Sequence, residues 1–206
     1  MFVTWDMLEL RPSCEHCEIP LDPLGDAARI CTYECTFCSR CATWELLGIC
    51  PNCGGELVTR PRRPPQLLVL NPPSAVVVHR KVDLDAHESK VVARLAGGDL
   101  PSQVWTVSFA NGRPVGDSGS SNDGYAETGD EMTMLAAQQP GFIGVDSVRD
   151  SDGVGITVSR WSSIAAMVSW RKVVSHQQAQ ARGRERWYSW YRSDVARVDR
   201  TSEFKR

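Results

Sequence analysis

From residue 103 onward the apolar positions fall into two rhythms, a period of two and a period near 3.6. Val104-Trp105-Thr106-Val107-Ser108-Phe109 predicts a strand. A Gly/Ser/Asp/Asn-rich stretch over 111–124 predicts a loop. Residues 125–139 carry Met132, Leu135 and Ala136 on one helical face and stop at Pro140-Gly141. Residues 142–149 and 154–161 predict two strands joined by the turn Asp150-Ser151-Asp152-Gly153. Ser162-Ser163 can cap a helix whose inner face holds Ile164, Met167, Val168 and Trp170. A polar, helix-compatible stretch runs through Arg186, then Trp187-Tyr188-Ser189-Trp190-Tyr191, then a last strand over 193–199. The order β-α-β-β-α-β is the ferredoxin-like arrangement.

The first hundred residues read differently. All eight cysteines lie between Cys14 and Cys53. Arg60-Pro61-Arg62-Arg63-Pro64-Pro65 predicts a stiff basic linker, its arginines in solvent. Leu67–Leu70 and Ala75–Val78 are short apolar runs around Asn71-Pro72-Pro73. Residues 82–95 show a weak helical period (Leu84, His87, Val91, Val92, Leu95) that closes at Gly97-Gly98. This stretch predicts a connecting segment with one strand and one helix. The expected domains are 1–60, a linker over 61–100, and 101–206.

The cysteines form four pairs: Cys14-x2-Cys17, Cys31-x3-Cys35, Cys38-x2-Cys41 and Cys50-x2-Cys53. Two or three intervening residues let both sulfurs grip one ion from a tight turn, which suits tetrahedral Zn²⁺. Eight thiolates are enough for two closed, structural sites. Iron–sulfur or redox chemistry is the alternative. The nearby apolar groups are few (Ile30, Tyr33, Phe37, Trp44, Leu46, Leu47, Ile49), so the metal would serve as the staple. His16, inside the first pair, is expected to be exposed. The segment lacks a basic leader and the chain has no apolar run near ~20 residues, which predicts a cytoplasmic protein with reduced cysteines and no membrane span.

The order of the pairs resembles a RING-type cross-brace. That resemblance implies one zinc on Cys14, Cys17, Cys38 and Cys41 and a second on Cys31, Cys35, Cys50 and Cys53; sequential pairing is the alternative. Trp44 and Pro51 match places where ubiquitin-ligase RINGs hold their conjugating enzyme, but His16 and Gly54 do not. The stretch from Leu10-Arg11-Pro12 through Cys50-Pro51-Asn52-Cys53-Gly54-Gly55-Glu56-Leu57 more closely resembles a small bacterial cysteine-rich family of RING-like shape with no assigned function. A protein-docking module fits it better than a ligase.

Ala136-Ala137-Gln138-Gln139-Pro140-Gly141-Phe142-Ile143-Gly144-Val145, with Ile156-Thr157-Val158-Ser159-Arg160-Trp161-Ser162-Ser163, resembles the antibiotic biosynthesis monooxygenase family. The resemblance covers about 100–200. It implies that the ferredoxin-like domain dimerises into an α/β barrel; with the cysteine segment, the expected protein is α+β, a small two-zinc RING-like domain preceding that ferredoxin-like domain. It also implies a pocket between sheet and helices for a flat aromatic ligand. Some members oxygenate anthrone- or quinol-like substrates without metal or flavin, so no cofactor is expected in this domain. The candidate catalytic residues are His176, Trp170 and Tyr188, with Trp187 a further candidate and Trp105 and Phe109 as walls. His176 is the best base by its ordinary pKa; a solvated His in Ser175-His176-Gln177-Gln178 is the bland alternative. The haem-degrading branch needs a first-strand Asn, where Ser108 and Phe109 stand, and a His ten residues after the Trp, where Gln180 stands. That disfavours haem degradation.

The net charge of -2 predicts no general affinity for nucleic acid. Acidic residues gather in the cysteine-rich part and basic ones in the last thirty. Two solvated faces or a docking surface between the halves would each produce that asymmetry.

Overall fold

A computed structural model describes residues 7–100, 103–114 and 123–204. Residues 1–6, part of the stretch expected not to be a leader, and 115–122, within the expected loop, lie outside the described residues. The chain divides into two compact units, one ending at Val91 and one beginning at Val92.

The first unit is built from turns. Two short hairpins close through isolated bridges, Ser13 to Pro20 and Ile49 to Glu56, and each encloses one Cys-x2-Cys pair. In both, the residue after the second cysteine is left-handed: Glu18 at φ 60° and Gly54 at φ 72°. Glycine at 54, which departs from the ligase pattern, fits that conformation without strain. Three short strands, β1 (Ala28–Ile30), β2 (Thr36–Cys38) and β3 (Val58–Thr59), form an antiparallel sheet in the order β2-β1-β3. One wide helical turn over Cys41–Glu45 follows β2. The core combines sulfur and hydrocarbon: Cys14, Leu21, Phe37, Cys41, Leu46 and Leu57 pack together. Of the apolar groups expected inside, Tyr33 is 77% exposed and Trp44 37%.

The segment expected to be a linker belongs to this unit. Arg60 is buried, and its guanidinium donates to the carbonyls of Arg11 at 2.8 Å and Asp22 at 3.5 Å. Arg63 donates to Leu8 O at 2.7 Å and Asn71 O at 2.6 Å. These two arginines bind main chain rather than sit in solvent, because distant carbonyls left without sheet partners face them. Ser74 N–H and Arg80 N–H donate to Leu10 O and Glu15 O, and Val82 and Leu84 pack against the cysteine core. The apolar run 67–70 lies in α1 (Pro65–Leu70), whose Pro65 suits a first helical turn, and neither it nor the run 75–78 forms the strand expected in this segment. The expected helix is present as α2 (Leu84–Gly97), and the division between the units falls within it. Its buried His87 donates through Nε2 to Leu46 O at 3.0 Å.

The second unit holds β4 (Trp105–Gly112), α3 (Tyr125–Ala137), β5 (Phe142–Arg149), β6 (Val154–Trp161), α4 (Ile164–Lys172), α5 (Val174–Arg182) and β7 (Trp190–Arg197). A wide turn over Gly183–Trp187 links α5 to β7. The sheet is antiparallel in the order β5-β6-β4-β7. In this four-stranded order the first and third strands are central and the fourth lies beside the first, which is the ferredoxin-like topology. The first strand runs three residues past its expected end, and the last begins at Trp190 rather than at 193.

Register decides which residues share a face. Phe109, Asn111, Thr157, Trp161, Arg149 and Tyr191 point toward the helices; Ala110, Ile156, Val148, Val154 and Trp190 point away. Trp161, fully buried, stacks at 6.1 Å on Trp170 of α4 and meets Phe142 edge-on at 5.3 Å. The opposite face is open: Val148 is 69% exposed, Ile156 45% and Trp190 48%.

The Pro-Gly-Phe corner has a packing cause. Gly141 adopts φ 81°, its carbonyl accepts from Ser162 N–H at 2.7 Å, and a Cβ there would lie 2.6 Å from Ala166 Cβ and from Ser162 Oγ. Ser163 caps α4 by accepting from Ala166 N–H at 3.1 Å. Gly141→Ala combines backbone strain with a clash and should cost about 1–3 kcal/mol; Ser163→Ala should cost about 1 kcal/mol. Urea unfolding followed by tryptophan fluorescence should show both midpoints lowered, that of Gly141→Ala more.

Candidate functional site

The first unit gathers its sulfurs into two groups. The sulfurs of Cys14, Cys17, Cys38 and Cys41 lie within 4.8 Å of one another, as do those of Cys31, Cys50 and Cys53. The first pair therefore meets the third, and the second meets the fourth. Cys35 stands just outside the second group, its sulfur accepting from Asn52 Nδ2 at 3.3 Å beside a cleft of about 520 Å³ that also exposes Cys53. Burial raises the thiol pKa at Cys41, where hydrogen bonds from Cys38 and Cys17 add to it, and at Cys14, Cys31 and Cys50. At Cys17 and Cys53 burial also acts upward but is outweighed: backbone N–H groups of Ile19 and Gly55, with neighbouring sulfurs, hold those thiols below the usual range. Thiolates packed this closely would need a cation among them, and the soft four-sulfur geometry of the first group suits a tetrahedral metal. Both clusters can hold a metal ion.

His16 is not exposed, contrary to expectation. Its side chain is 11% accessible, Nδ1 accepts from Val82 N–H at 3.3 Å, and Nε2 meets the Glu45 carboxylate at 3.1 Å. The chain segment that folds back over the first cysteine hairpin covers it.

In the second unit the expected site residues fall into two aromatic groups. In one, His176 stacks on Trp170 at 4.3 Å and 13°. Its Nδ1–H donates to Trp170 O at 3.1 Å and its Nε2 accepts from Gln180 at 3.3 Å. Burial lowers its pKa, the Trp170 carbonyl partly opposes this, and Arg171 lowers it further. In the other, Tyr188 meets Phe109 edge-on at 5.4 Å and Tyr125 at 6.2 Å, while Phe109 also contacts Tyr191 at 5.6 Å. Burial raises the Tyr188 pKa, Tyr125 adds to that, and Arg149 and Arg113 oppose it. At neutral pH Tyr188 is a phenol that can donate a hydrogen bond. Trp187 is buried, donating to Asp123 O at 3.3 Å.

Sequence reasoning missed the polar half of this second group. Asn111 is 1% exposed at the end of β4 and accepts from Arg149 Nη2 at 2.7 Å. Arg149 Nη2 also donates to the Tyr125 hydroxyl at 2.6 Å, and Nη1 donates to Gly153 O at 2.5 Å. Arg113 pairs with Asp123 and lies 4.2 Å from the Tyr125 ring centre, with Arg149 at 5.0 Å. The signal was present: Asn111 is two residues after Phe109, so alternation puts both on one face. Asn-Gly at 111–112 looked like the start of the loop.

A family model described as antibiotic biosynthesis monooxygenase matches residues 121–182, and one described as a protein of unknown function, DUF1272, matches residues 7–63. The chain belongs to both families, with residues 64–120 between the two matches. Uncharacterized protein YqjZ of Bacillus subtilis is 53% identical over 87 residues, 42% of this chain and 76% of that protein. Uncharacterized protein R02474 of Rhizobium meliloti is 56% identical over 72 residues, 35% of this chain and 86% of that protein. Among solved structures, a mutant of SnoaB, a cofactor-independent oxygenase from Streptomyces nogalater, aligns at 14% identity with TM-score 0.39, over 48% of this chain and 96% of that one. A putative antibiotic biosynthesis monooxygenase from Nitrosomonas europaea aligns at 4% with TM-score 0.40, over 47% and 91%.

A half-buried, neutral His176 makes stability pH-dependent. Its folded pKa lies below the ordinary 6.5, so the unfolded state binds the proton first and stability falls as pH drops below about 6.5. His176→Gln should remove that part of the slope. Thermal unfolding of both proteins from pH 8 to pH 5 checks this: the wild-type midpoint should fall more steeply below pH 6.5.

Proposed function

We propose that the monooxygenase-family unit binds a flat phenolic aromatic on the helix-facing side of its sheet and oxygenates it without metal or flavin. The observation that carries this reading is the joined cluster of Asn111, Arg149, Tyr125, Tyr188 and Phe109. It sets cationic and neutral donors among aromatic walls, as carbanion or phenolate chemistry needs. An anthrone-like CH2 group would lose a proton, and its carbanion would deliver electrons to O2. The carbon–oxygen bond that forms gives a hydroperoxide, and loss of water leaves a carbonyl. One oxygen atom ends in the product and one in water.

In this reading Tyr188 donates a hydrogen bond to the substrate oxygen. Trp170 and His176 act together as a wall, since both ring nitrogens of His176 are already engaged. For His176 to be the base, it must give up the Gln180 contact. The active form is a homodimer paired through the open sheet face of Val148, Ile156 and Trp190. The DUF1272 unit carries two structural Zn²⁺, on the two cysteine groups with Cys35 completing the second, and docks a protein partner. The protein works in the cytoplasm.

Native mass spectrometry should give a dimer with two zinc ions per chain, and Val148→Asp should give a monomer. Oxygen-electrode assays of the zinc-replete dimer should show oxygen uptake with members of a panel of anthrones and hydroquinones, and with an anthrone one O2 consumed per carbonyl formed. Tyr188→Phe should lower that rate on the order of tenfold to a hundredfold. Binding of these compounds without oxygen uptake would favour a ligand-binding or regulatory role. A Soret shift on haemin titration would favour haem. Absence of both turnover and binding across the panel sinks the oxygenase reading.

A further inference from the structure

Arg149 differs from the other paired arginines of its unit. Among the described residues no carboxylate pairs with it, whereas Arg113 has Asp123, Arg160 has Asp146 and Arg192 has Asp194. Its three hydrogen bonds go to neutral acceptors: Asn111 Oδ1, Tyr125 Oη and Gly153 O. These partners fix the guanidinium in place and leave its positive charge uncancelled. Both Nη2 hydrogens are used, so Nε–H and one Nη1–H remain as donors. The side chain is only partly buried, and the two unused N–H groups lie on different edges of the guanidinium, so each offers a single hydrogen bond.

The sheet makes room for this placement. A Cβ at Gly155, the β6 residue paired with Arg149, would lie 2.5 Å from Nη2 and 2.7 Å from Cζ. The guanidinium thus lies flat against the backbone of the neighbouring strand, where any side chain would displace it. Around it stand Arg113 with Asp123, and the phenols Tyr125 and Tyr188. The surroundings favour a negative charge arriving from outside the chain.

We propose that Arg149 is an oxyanion anchor, binding the aromatic substrate as its phenolate through the remaining guanidinium N–H donors. The substrate class is therefore an aromatic with an acidic hydroxyl, rather than a neutral hydrocarbon or an amine. This rests on the oxygenase-site reading, but it is tested by ionisation of a bound ligand rather than by turnover.

The probe is a hydroxyanthraquinone dye whose visible absorption shifts when its phenol ionises, titrated with the full-length, zinc-replete protein. Bound to wild type, the dye should ionise about one to two pH units below its free value, since a nearby opposite charge has that effect. Arg149→Met should still bind the dye but lose the shift. Arg149→Lys, which keeps the charge without the fork and serves if the Met variant fails to fold, should retain part of it. Gly155→Ala should reduce it with Arg149 still present. A wild-type dye that ionises at or above its free value overturns the anchor and leaves the oxygenase reading standing. A shift that survives in Arg149→Met overturns the assignment to Arg149. A dye that does not bind wild type at all sinks the parent reading.

Discussion

A charge taken out of water must be met by partners, and each unit of this chain is arranged around such a debt. In the first unit the charges are sulfur. Four thiols within 4.8 Å of one another, three of them buried, cannot all ionise unless a cation stands among them. The strands are only two or three residues long, and the hydrocarbon core is small. Hairpin bridges, left-handed residues after Cys17 and Cys53, and the carbonyl-binding Arg60 and Arg63 all orient backbone toward the two sulfur groups. In the second unit the charge is Arg149, met by an amide, a phenol and a carbonyl rather than by a carboxylate.

The same constraint explains why the proline-rich segment is not a free linker. Arg60 and Arg63 satisfy carbonyls that the short sheet cannot reach, so the chain from 60 to 84 wraps the cysteine core and covers His16. A guanidinium with five donors can bind several main-chain oxygens that no strand pairs. Composition marked these arginines as solvated; long-range carbonyls, 38 to 55 residues away in sequence, claim them instead.

Much of the second unit was legible because its signals are local. Periods of two and 3.6, the Pro140-Gly141 stop, the Asp150–Gly153 turn and the Ser163 cap each act within a few residues, and strands 142–149 and 154–161 occur where alternation puts them. The cysteine spacing likewise announced the four pairs. What stayed hidden depends on register between distant strands. Asn111 reads as loop until β6 and β7 pair on both sides of β4, and Gly155 reads as an ordinary strand glycine until Arg149 lies across it. Tyr188 was found as an aromatic near the end of a helix, but the polar groups of its cluster, Arg149 and Asn111, come from two other strands.

Alternation also lets one sheet serve two purposes. Along β4 and β6, every second residue faces the helices and builds the aromatic and guanidinium cluster, while the intervening Ala110, Val158 and Ile156 form an apolar surface facing away. A one-residue slip in pairing would exchange these sets, sending Arg149 and Asn111 to the open face and Ile156 inward. The buried Trp161, stacked on Trp170 and met edge-on by Phe142, makes that slip costly because no other residue of β6 has a comparable volume to fill its place. The register that the tryptophan enforces is therefore what keeps an uncancelled guanidinium on one side of the sheet and a hydrocarbon surface on the other.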